Sequence, residues 1–139
     1  MIGSEALKAK YLDGLTQTDM SKLTQGGQFM TEKEGGSDVG TLTTTAVQEG
    51  DHWRLHGEKW FCSVIDAQLF LVTARPEGAP DGTRGLKAFA VPRTVDGEVN
   101  GFAVNKCRKG FAMHRVHLSC CRRARRARCS RDRTASGVS

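Results

Sequence analysis

Apolar and polar positions along the chain follow two different periods, and the change falls near residue 27. In residues 4–15 the apolar side chains recur at helical spacing, while Lys8 and Asp13 supply a polar side. After a polar connection at residues 16–27, the apolar residues come in short alternating or continuous runs. The pattern therefore predicts one short helix followed by a body of β-strands.

Short segments with strand character make up that body. They are residues 28–31, 41–48, 52–61, 68–74, 86–91 and 101–104. The second and third are separated by Glu49, Gly50 and Asp51, and a three-residue turn with glycine inside it favours a hairpin. Short strands at close spacing after a single helix predict a mainly β fold, either a compact antiparallel β-barrel or a sandwich.

Length and composition narrow the class of protein. A chain of 139 residues is enough for one domain and hardly for two. Hydrophobic residues make up 38% and charged residues 26%, which is typical of a soluble protein. The most apolar run, residues 69–74, is far too short to span a bilayer, and the first residues lack the layout of a signal peptide. We therefore expect a cytoplasmic location.

Charge divides the chain into two unequal parts. Residues 1–105 hold 10 Lys and Arg against 14 Asp and Glu, whereas residues 106–139 hold 11 against one. Past Val116 the only large aliphatic side chains are Leu118 and Val138, so this end cannot bury a core. Residues 106–139 are therefore predicted to form a disordered basic tail rich in arginine and cysteine.

The loop after the first predicted strand contains paired glycines flanked by hydroxyl side chains. Gly35 and Gly36 allow the backbone to approach a flat or phosphorylated ligand, and Thr31 and Ser37 add hydroxyl groups. Successive N–H groups in such a turn can form an anion-binding concavity. Loops of this composition are also common as simple turns, so the residues alone leave both interpretations open.

The same loop resembles the signature of the acyl-CoA dehydrogenase family. Residues 31–38 read Thr-Glu-Lys-Glu-Gly-Gly-Ser-Asp, and the usual form of the signature is Thr-Glu-Pro-Gly-Ala-Gly-Ser-Asp. Lys33 replaces the proline, Glu34 the first glycine and Gly35 the alanine. The Lys-Glu-Gly-Gly version is similar to the branch of the family that includes the bacterial alkylation-response flavoproteins.

Three further segments carry the resemblance in the order that the family shows. Residues 57–63 are similar to the family's Gly-x-Lys-x-Trp-Ile-Thr segment, with Phe61 in place of tryptophan and Ser63 in place of threonine. Residues 3–12 resemble the helix before the middle domain, and residues 85–92 fit the family's Gly-x-x-x-Phe-x-Val-Pro strand. The resemblance therefore covers most of the first 105 residues.

The resemblance implies a domain organisation and a cofactor. Residues 1–27 correspond to the last helix of an N-terminal helical domain plus a connection, and residues 28–105 to the middle β-barrel domain. Members of the family are FAD-dependent oxidoreductases that convert an acyl-CoA thioester to its 2,3-enoyl form. An electron-transfer partner reoxidises the flavin, and the parent protein is expected to be a homo-oligomer.

The resemblance also implies which residues serve the site. The residues assigned to FAD are Gln28, Phe29, Met30, Thr31, Gly36, Ser37, Phe61, Cys62 and Ser63. Residues 28–31 would run past the isoalloxazine ring, Phe61 would pack against it, and Ser63 would bond near the flavin N5. Ser37 would also touch the acyl-CoA. A flavin needs an apolar support on one face and directed donors at the atoms that gain electron density on reduction.

No catalytic residue is assigned. In the family a glutamate removes the α-proton of the substrate while the β-hydride passes to flavin N5, and that glutamate belongs to a C-terminal helical domain. Glu32 and Glu34 match no base position, and we interpret both as solvated loop acids. We therefore expect this chain alone to be inactive and to retain FAD poorly.

Three interpretations apply to the basic tail. Arginine- and cysteine-rich runs are typical of a GC-rich coding sequence read out of frame, and this frameshift interpretation is the leading one. A nucleic-acid arm is the second, because the seven arginines of residues 122–133 could neutralise phosphates, although no aromatic residue is interleaved to stack on bases. A metal site is the third; its candidate ligands are His114, His117, Cys120 and Cys121. Adjacent cysteines are poor tetrahedral ligands, so no metal is predicted.

Overall fold

A computed structural model of the chain describes residues 5–33, 36–50, 52–108 and 111–118. Within these residues one α-helix precedes a series of strands, as the hydrophobic pattern predicts. The elements are α1 (Glu5–Leu15), β1 (Gly26–Phe29), β2 (Thr45–Glu49), β3 (His52–Cys62), β4 (Leu69–Pro76), β5 (Lys87–Pro92), β6 (Thr94–Val95), β7 (Glu98–Val99), β8 (Phe102–Arg108) and β9 (Phe111–Leu118). Two short 3-10 turns lie at Val39–Thr41 and Thr83–Gly85.

Seven strands form one curled sheet in the order β1-β4-β2-β3-β9-β8, with β5 paired to β4, while β6 and β7 form a separate hairpin. The mainly β fold is confirmed, and so is the predicted hairpin, in which Ala46 of β2 faces Leu55 of β3 across an antiparallel ladder. The sheet is not purely antiparallel, however, because both β1 and β2 run parallel to β4.

Strand β4 pairs with three strands: β5 is antiparallel to it, and β1 and β2 are parallel to it. Strand β5 covers residues 69–74 of β4, and β1 lies parallel to residues 69–72. Strand β2 then pairs with Arg75 and Pro76, farther along the same strand. Since a strand has only two edges, β1 and β2 follow each other along one of them. The chain therefore leaves the sheet after β1 and returns to the same edge at β2, and we call the intervening residues 30–44 the excursion.

The core lies on one face of the sheet. Alternate residues of β4 (Phe70, Val72, Ala74 and Pro76) are buried, which is the period of two that a half-buried strand shows. The rings of Phe29 and Phe70 stack with their centroids 4.7 Å apart, and Phe102 meets Phe70 edge-on at 5.4 Å. Aromatic pairs of this kind contribute roughly 0.5–1.5 kcal/mol beyond the area they bury. The contact between Phe29 and Phe70 therefore fixes the start of the excursion against the core.

The sheet continues past residue 105, where the change in charge suggested a boundary. Strand β8 extends to Arg108, and β9 pairs with both β8 and β3. Residues 106–108 and 111–118 of the predicted tail thus lie in strands, and Val116 is buried beside the core. Residues 119–139, which include Cys120, Cys121 and the arginine-rich run, lie outside the described residues. Among the residues that the structure does describe, no helix is long and apolar enough to cross a membrane.

Candidate cofactor site

A buried carboxylate closes the base of the excursion. The Glu32 side chain, only 3% exposed, accepts hydrogen bonds from the residues at the other end of the excursion. Its Oε2 accepts from the Thr43 amide at 2.6 Å and from the Thr43 hydroxyl at 2.7 Å. Its Oε1 accepts from the Thr44 amide at 3.0 Å and from the Thr44 hydroxyl. One side chain therefore holds the two ends of the excursion together.

A buried lysine joins strand β3 to this base. Lys59 has no exposed surface, and its Nζ donates to Glu32 Oε1 at 2.8 Å and to the Met30 carbonyl at 3.2 Å. The Trp60 amide donates to the Thr31 carbonyl at 2.8 Å. Residues 30–32 consequently run alongside the end of β3, so two segments that lie far apart in the sequence become neighbours.

Electrostatics keep Glu32 ionised. Burial by itself would raise the pKa of this carboxyl, but the hydrogen bonds from Lys59, Thr44 and Thr43 outweigh that effect and lower the pKa to about 2. Burial also lowers the pKa of Lys59, against the opposing effect of the Glu32 carboxylate. With five donors on two oxygens, Glu32 has no free lone pair of good geometry and is unsuited to accept a proton from a substrate.

The interpretation of Glu32 as a solvated loop acid is therefore wrong. The sequence motif identifies the residue, but its burial depends on Lys59, which follows 27 positions later in the chain. A signal for this pairing was present, because Lys59 occupies an inward position of β3 with the same orientation as the buried Leu55. Glu34, which received the same interpretation, lies outside the described residues.

A glycine lets β3 approach the returning end of the excursion. Gly57 has a φ of 151°, and a Cβ built there would lie 2.8 Å from the Cα and the Cβ of Thr44. Contacts that close to a backbone atom cannot be relieved by rotating a side chain. Only glycine allows β3 and Thr44 to lie this near each other.

The end of β3 contains a bulge that turns an aromatic ring outward. Between Lys59 and Cys62 of β3 the register against β9 slips, so that β3 carries one extra residue. Lys59 and Cys62 both point inward, whereas Phe61 has a φ of 55° and a side chain that is 51% exposed. Val64 also has a positive φ, of 54°. Such angles are unfavourable for these residues, and backbone of this kind is concentrated at ligand sites.

The structure brings the predicted site segments 28–31 and 61–63 close together, but not every side chain is accessible. Phe29 packs in the core, and Cys62 is fully buried, so any contact from these two residues to a ligand runs through the backbone. Burial raises the pKa of the Cys62 thiol to about 12, which keeps it protonated and unreactive.

The remaining predicted residues are at least partly accessible. Met30 and Thr31 are half-buried, and the exposed residues are Gln28, Gly36, Ser37, Phe61 and Ser63. A Cβ at Gly36 would meet no other atom within 4 Å, so this part of the excursion is open to solvent.

A second junction, at Arg75, was not predicted from the sequence. Its guanidinium donates to the carbonyl of Gly40 at 2.8 Å, to that of Gly82 at 3.0 Å and to that of Pro80. The excursion and the loop after β4 are thereby tied to each other. A shallow surface depression lies at this junction, and its lining includes Asp38, Thr41, Arg75, Asp81 and Thr83.

Comparison with known proteins identifies the family. Residues 27–123 match the family described as "Acyl-CoA dehydrogenase, middle domain". The "Acyl-CoA dehydrogenase family member 11" of Caenorhabditis elegans is 44% identical over 108 residues, which cover 73% of this chain and 18% of that protein. The glutaryl-CoA dehydrogenase of Desulfococcus multivorans is 40% identical over 97 residues, which cover 68% of this chain and 24% of that protein.

The solved structures agree with the sequence relatives. The crystal structure of Caenorhabditis elegans ACDH-11 in complex with C11-CoA has a TM-score of 0.72 and 34% sequence identity, covering 86% of this chain and 23% of that one. The chain thus spans less than a quarter of the length of these relatives. The residues that match the family make up more than half of the chain, and they include the excursion and the bulge of β3. This chain belongs to the acyl-CoA dehydrogenase family, as a middle domain.

Proposed function

We propose that this chain binds FAD on the surface formed by segments 28–31, 36–37 and 61–63, as the middle domain of an FAD-dependent acyl-CoA dehydrogenase. The observation that supports this most is the convergence of the first and third segments through the buried Glu32–Lys59 pair. The accessible groups there are mixed, since they combine an aromatic ring with hydroxyl and backbone groups. A flat, partly apolar cofactor needs such a combination.

The residues present fit a flavin. Phe61 is held with its ring half exposed by an unfavourable backbone angle, and an aromatic ring presented in this way can cover one face of a flat ligand. The Ser63 hydroxyl lies two residues farther on and is exposed, so it is available to donate a hydrogen bond at the ring edge. When bound, FAD would supply the hydride-accepting chemistry. The protein residues would orient the ring and limit its contact with water.

The excursion supplies the proposed contact with substrate. Ser37 is exposed at its open part, and we assign it both to FAD and to the acyl-CoA thioester. The whole protein would then oxidise an acyl-CoA to the 2,3-enoyl form, pass electrons to an acceptor and act as a cytoplasmic homo-oligomer. The five donors on Glu32 rule it out as the base, and no other residue of this chain is assigned that role. We therefore expect this chain alone to have no dehydrogenase activity.

A fluorescence titration of the purified chain with FAD tests the binding. We expect weak, saturable binding and a preparation that does not carry stoichiometric FAD. Phe61→Ala should weaken the binding about tenfold, which corresponds to about 1.4 kcal/mol. Val99→Ala is the matched control, because Val99 is an exposed apolar side chain (66%) on the separate β6–β7 hairpin, outside the three proposed segments. Equal affinities for Phe61→Ala and the unaltered chain would contradict the proposal.

The alkylation-response branch is the alternative within the family. Residues 33–36 favour it, because they read Lys-Glu-Gly-Gly where the usual signature has Pro-Gly-Ala-Gly. The protein would then hold a flavin and associate with nucleic acid while turning over little substrate. A version joined to both helical domains, mixed anaerobically with a panel of acyl-CoAs, separates the two functions. Bleaching of the flavin by any of them supports the dehydrogenase, and no bleaching supports the alternative.

A further inference from the structure

The Glu32–Lys59 pair lies where three segments meet. Glu32 belongs to the departing end of the excursion, Thr43 and Thr44 to its returning end, and Lys59 to β3 just before the bulge. The Lys59 ammonium also holds the Met30 carbonyl. The contacts of these two charged side chains therefore determine where each segment begins its approach to the proposed ligand surface.

Stability alone gives a weak reason for such a pair. Burying two charges costs solvation free energy that their attraction only partly offsets, and apolar residues of similar volume are often as stable. An ion pair with several hydrogen bonds, however, has a defined geometry that apolar packing lacks. The contacts of Glu32 are of this kind, because two amides, two hydroxyls and one ammonium converge on its two oxygens.

Neither member of the pair is available to touch a ligand. Both side chains are essentially without exposed surface, and the residues assigned to FAD lie on either side of them along the chain. Met30 and Thr31 precede Glu32, while Phe61 and Ser63 follow Lys59. Any effect of the pair on a ligand must therefore pass through the positions of those neighbours.

We propose that Glu32 and Lys59 are positioning residues that hold the excursion closed and align residues 30–31 with residues 61–63 for flavin binding. This inference rests on the proposed function. It predicts that loss of the pair loosens the excursion and weakens FAD binding even where the fold itself is kept. Alignment of the two segments requires the hydrogen-bonded ion pair. Uncharged side chains of the same volume would fill the space without aligning the segments.

Three near-isosteric variants separate positioning from stability. Glu32→Gln and Lys59→Met each leave the other charge buried without its partner, and either variant can fail to fold. The double variant Glu32→Gln/Lys59→Met removes both charges and keeps the volume. We expect it to keep a single cooperative thermal transition, above that of either single variant because no charge is left buried without its partner, and to bind FAD at least about tenfold more weakly. The double variant Glu5→Gln/Lys8→Met, on an exposed pair of α1 with a 2.6 Å contact, is the control and should change neither quantity.

Limited proteolysis tests the closure of the excursion without any ligand. Lys33 is exposed and lies immediately after Glu32, whereas Lys22 and Arg84 are exposed sites away from the base. In the double variant, trypsin should cleave after Lys33 several times faster than in the unaltered chain, while cleavage after Lys22 and Arg84 keeps its rate.

The two measurements distinguish the possible failures. If the unaltered chain binds FAD and the double variant binds it equally well, the positioning role is overturned while the proposed function stands. If the rate of cleavage after Lys33 does not change, the closure itself is overturned. If the unaltered chain binds no FAD up to millimolar concentration, both the proposed function and the positioning role fail, and faster cleavage after Lys33 would leave only a role in closing the excursion.

Discussion

Two loops are fixed to the sheet of this protein by opposite chemistry. The base of the excursion closes on a carboxylate, Glu32, which accepts from amide and hydroxyl groups. The loop after β4 closes on a guanidinium, Arg75, which donates to carbonyl groups. In the excursion a negative charge accepts hydrogen bonds from backbone N–H groups, and in the loop after β4 a positive charge donates hydrogen bonds to backbone carbonyl groups. The environments differ, because Glu32 and Lys59 are buried while Arg75 is half-buried.

That difference in burial determines how much a substitution at each junction should lower the stability of the fold. Removal of a partner from a buried pair leaves an uncompensated charge in a medium of low polarity, and water cannot replace the lost contacts. Removal of a half-buried side chain exposes carbonyl groups that water can reach. We therefore expect the base of the excursion to be far more sensitive to substitution than the junction at Arg75.

The largest effect is expected for Lys59→Met. The substitution leaves the Glu32 carboxylate buried without its cation, and we predict a loss of about 3–5 kcal/mol in the free energy of unfolding by urea. Lys8→Met, on the exposed pair with Glu5, is the matched control and should change the stability by less than about 0.5 kcal/mol. A loss below about 1 kcal/mol for Lys59→Met would show that the pair is not buried as described.

Acid should weaken the same contact in a defined window. The folded-state pKa of Glu32 lies near 2, below its ordinary value of 4.5, so its stabilisation is complete above pH 4.5 and is lost as the pH falls toward 2. The loss corresponds to roughly 3 kcal/mol. Urea unfolding between pH 2 and pH 6 measures it. In Glu32→Gln the fall over this window should be much smaller, and an unchanged fall would assign it to other groups.

Two glycines extend the comparison from charge to backbone. At Gly57 a methyl group would press on the Cα of Thr44, whereas at Gly78, with a φ of 76°, it would meet no atom within 4 Å. Gly57→Ala should therefore cost roughly 2–3 kcal/mol, and Gly78→Ala only the strain of a positive φ in a turn, roughly 1 kcal/mol. Thermal unfolding of the two variants side by side gives the difference. Equal costs would contradict the close approach of β3 to Thr44.

The effect expected for Arg75→Met is smaller than those of Lys59→Met and Gly57→Ala. Three carbonyl oxygens lose a donor, but they lie near the surface, and we predict a loss of roughly 1–2 kcal/mol. Trypsin should then cleave faster after Arg84, in the loop that has lost its tie, and should not cleave faster after Lys33. A common increase at both sites would indicate that the two loops open together, against the separation described above.

The sequence predicted the elements whose pattern is local. Helical spacing in residues 4–15 gave α1, and alternation interrupted by a glycine turn gave the β2–β3 hairpin. Strand β9 was not predicted, because residues 111–118 were grouped with the basic tail, although Arg115 is the only Lys or Arg among them. Its place in the sheet comes from pairing with β3 and β8. The parallel contacts of β4 depend in the same way on partners distant in the chain.

The sequence motifs predicted which segments form the candidate site, but they did not predict the burial of its side chains or its backbone angles. The motifs located the excursion and the end of β3, and the structure shows that these two segments are neighbours. The burial of Glu32 was missed because its partner is remote in sequence. The positive φ angles of Phe61 and Val64 had no local signal either, since no glycine or asparagine marks them. The roles assigned to individual site residues stay predictions.

A map of amide chemical shifts during a titration with FAD tests the central claim most directly. We predict that the largest shifts fall on residues 28–31, 36–37 and 61–63, with little change along β5 or at the depression beside Arg75. The same map for the Glu32→Gln/Lys59→Met variant should show weaker, more scattered shifts. No saturable shifts in the unaltered chain, or shifts centred on Asp81 and Thr83, would contradict the account.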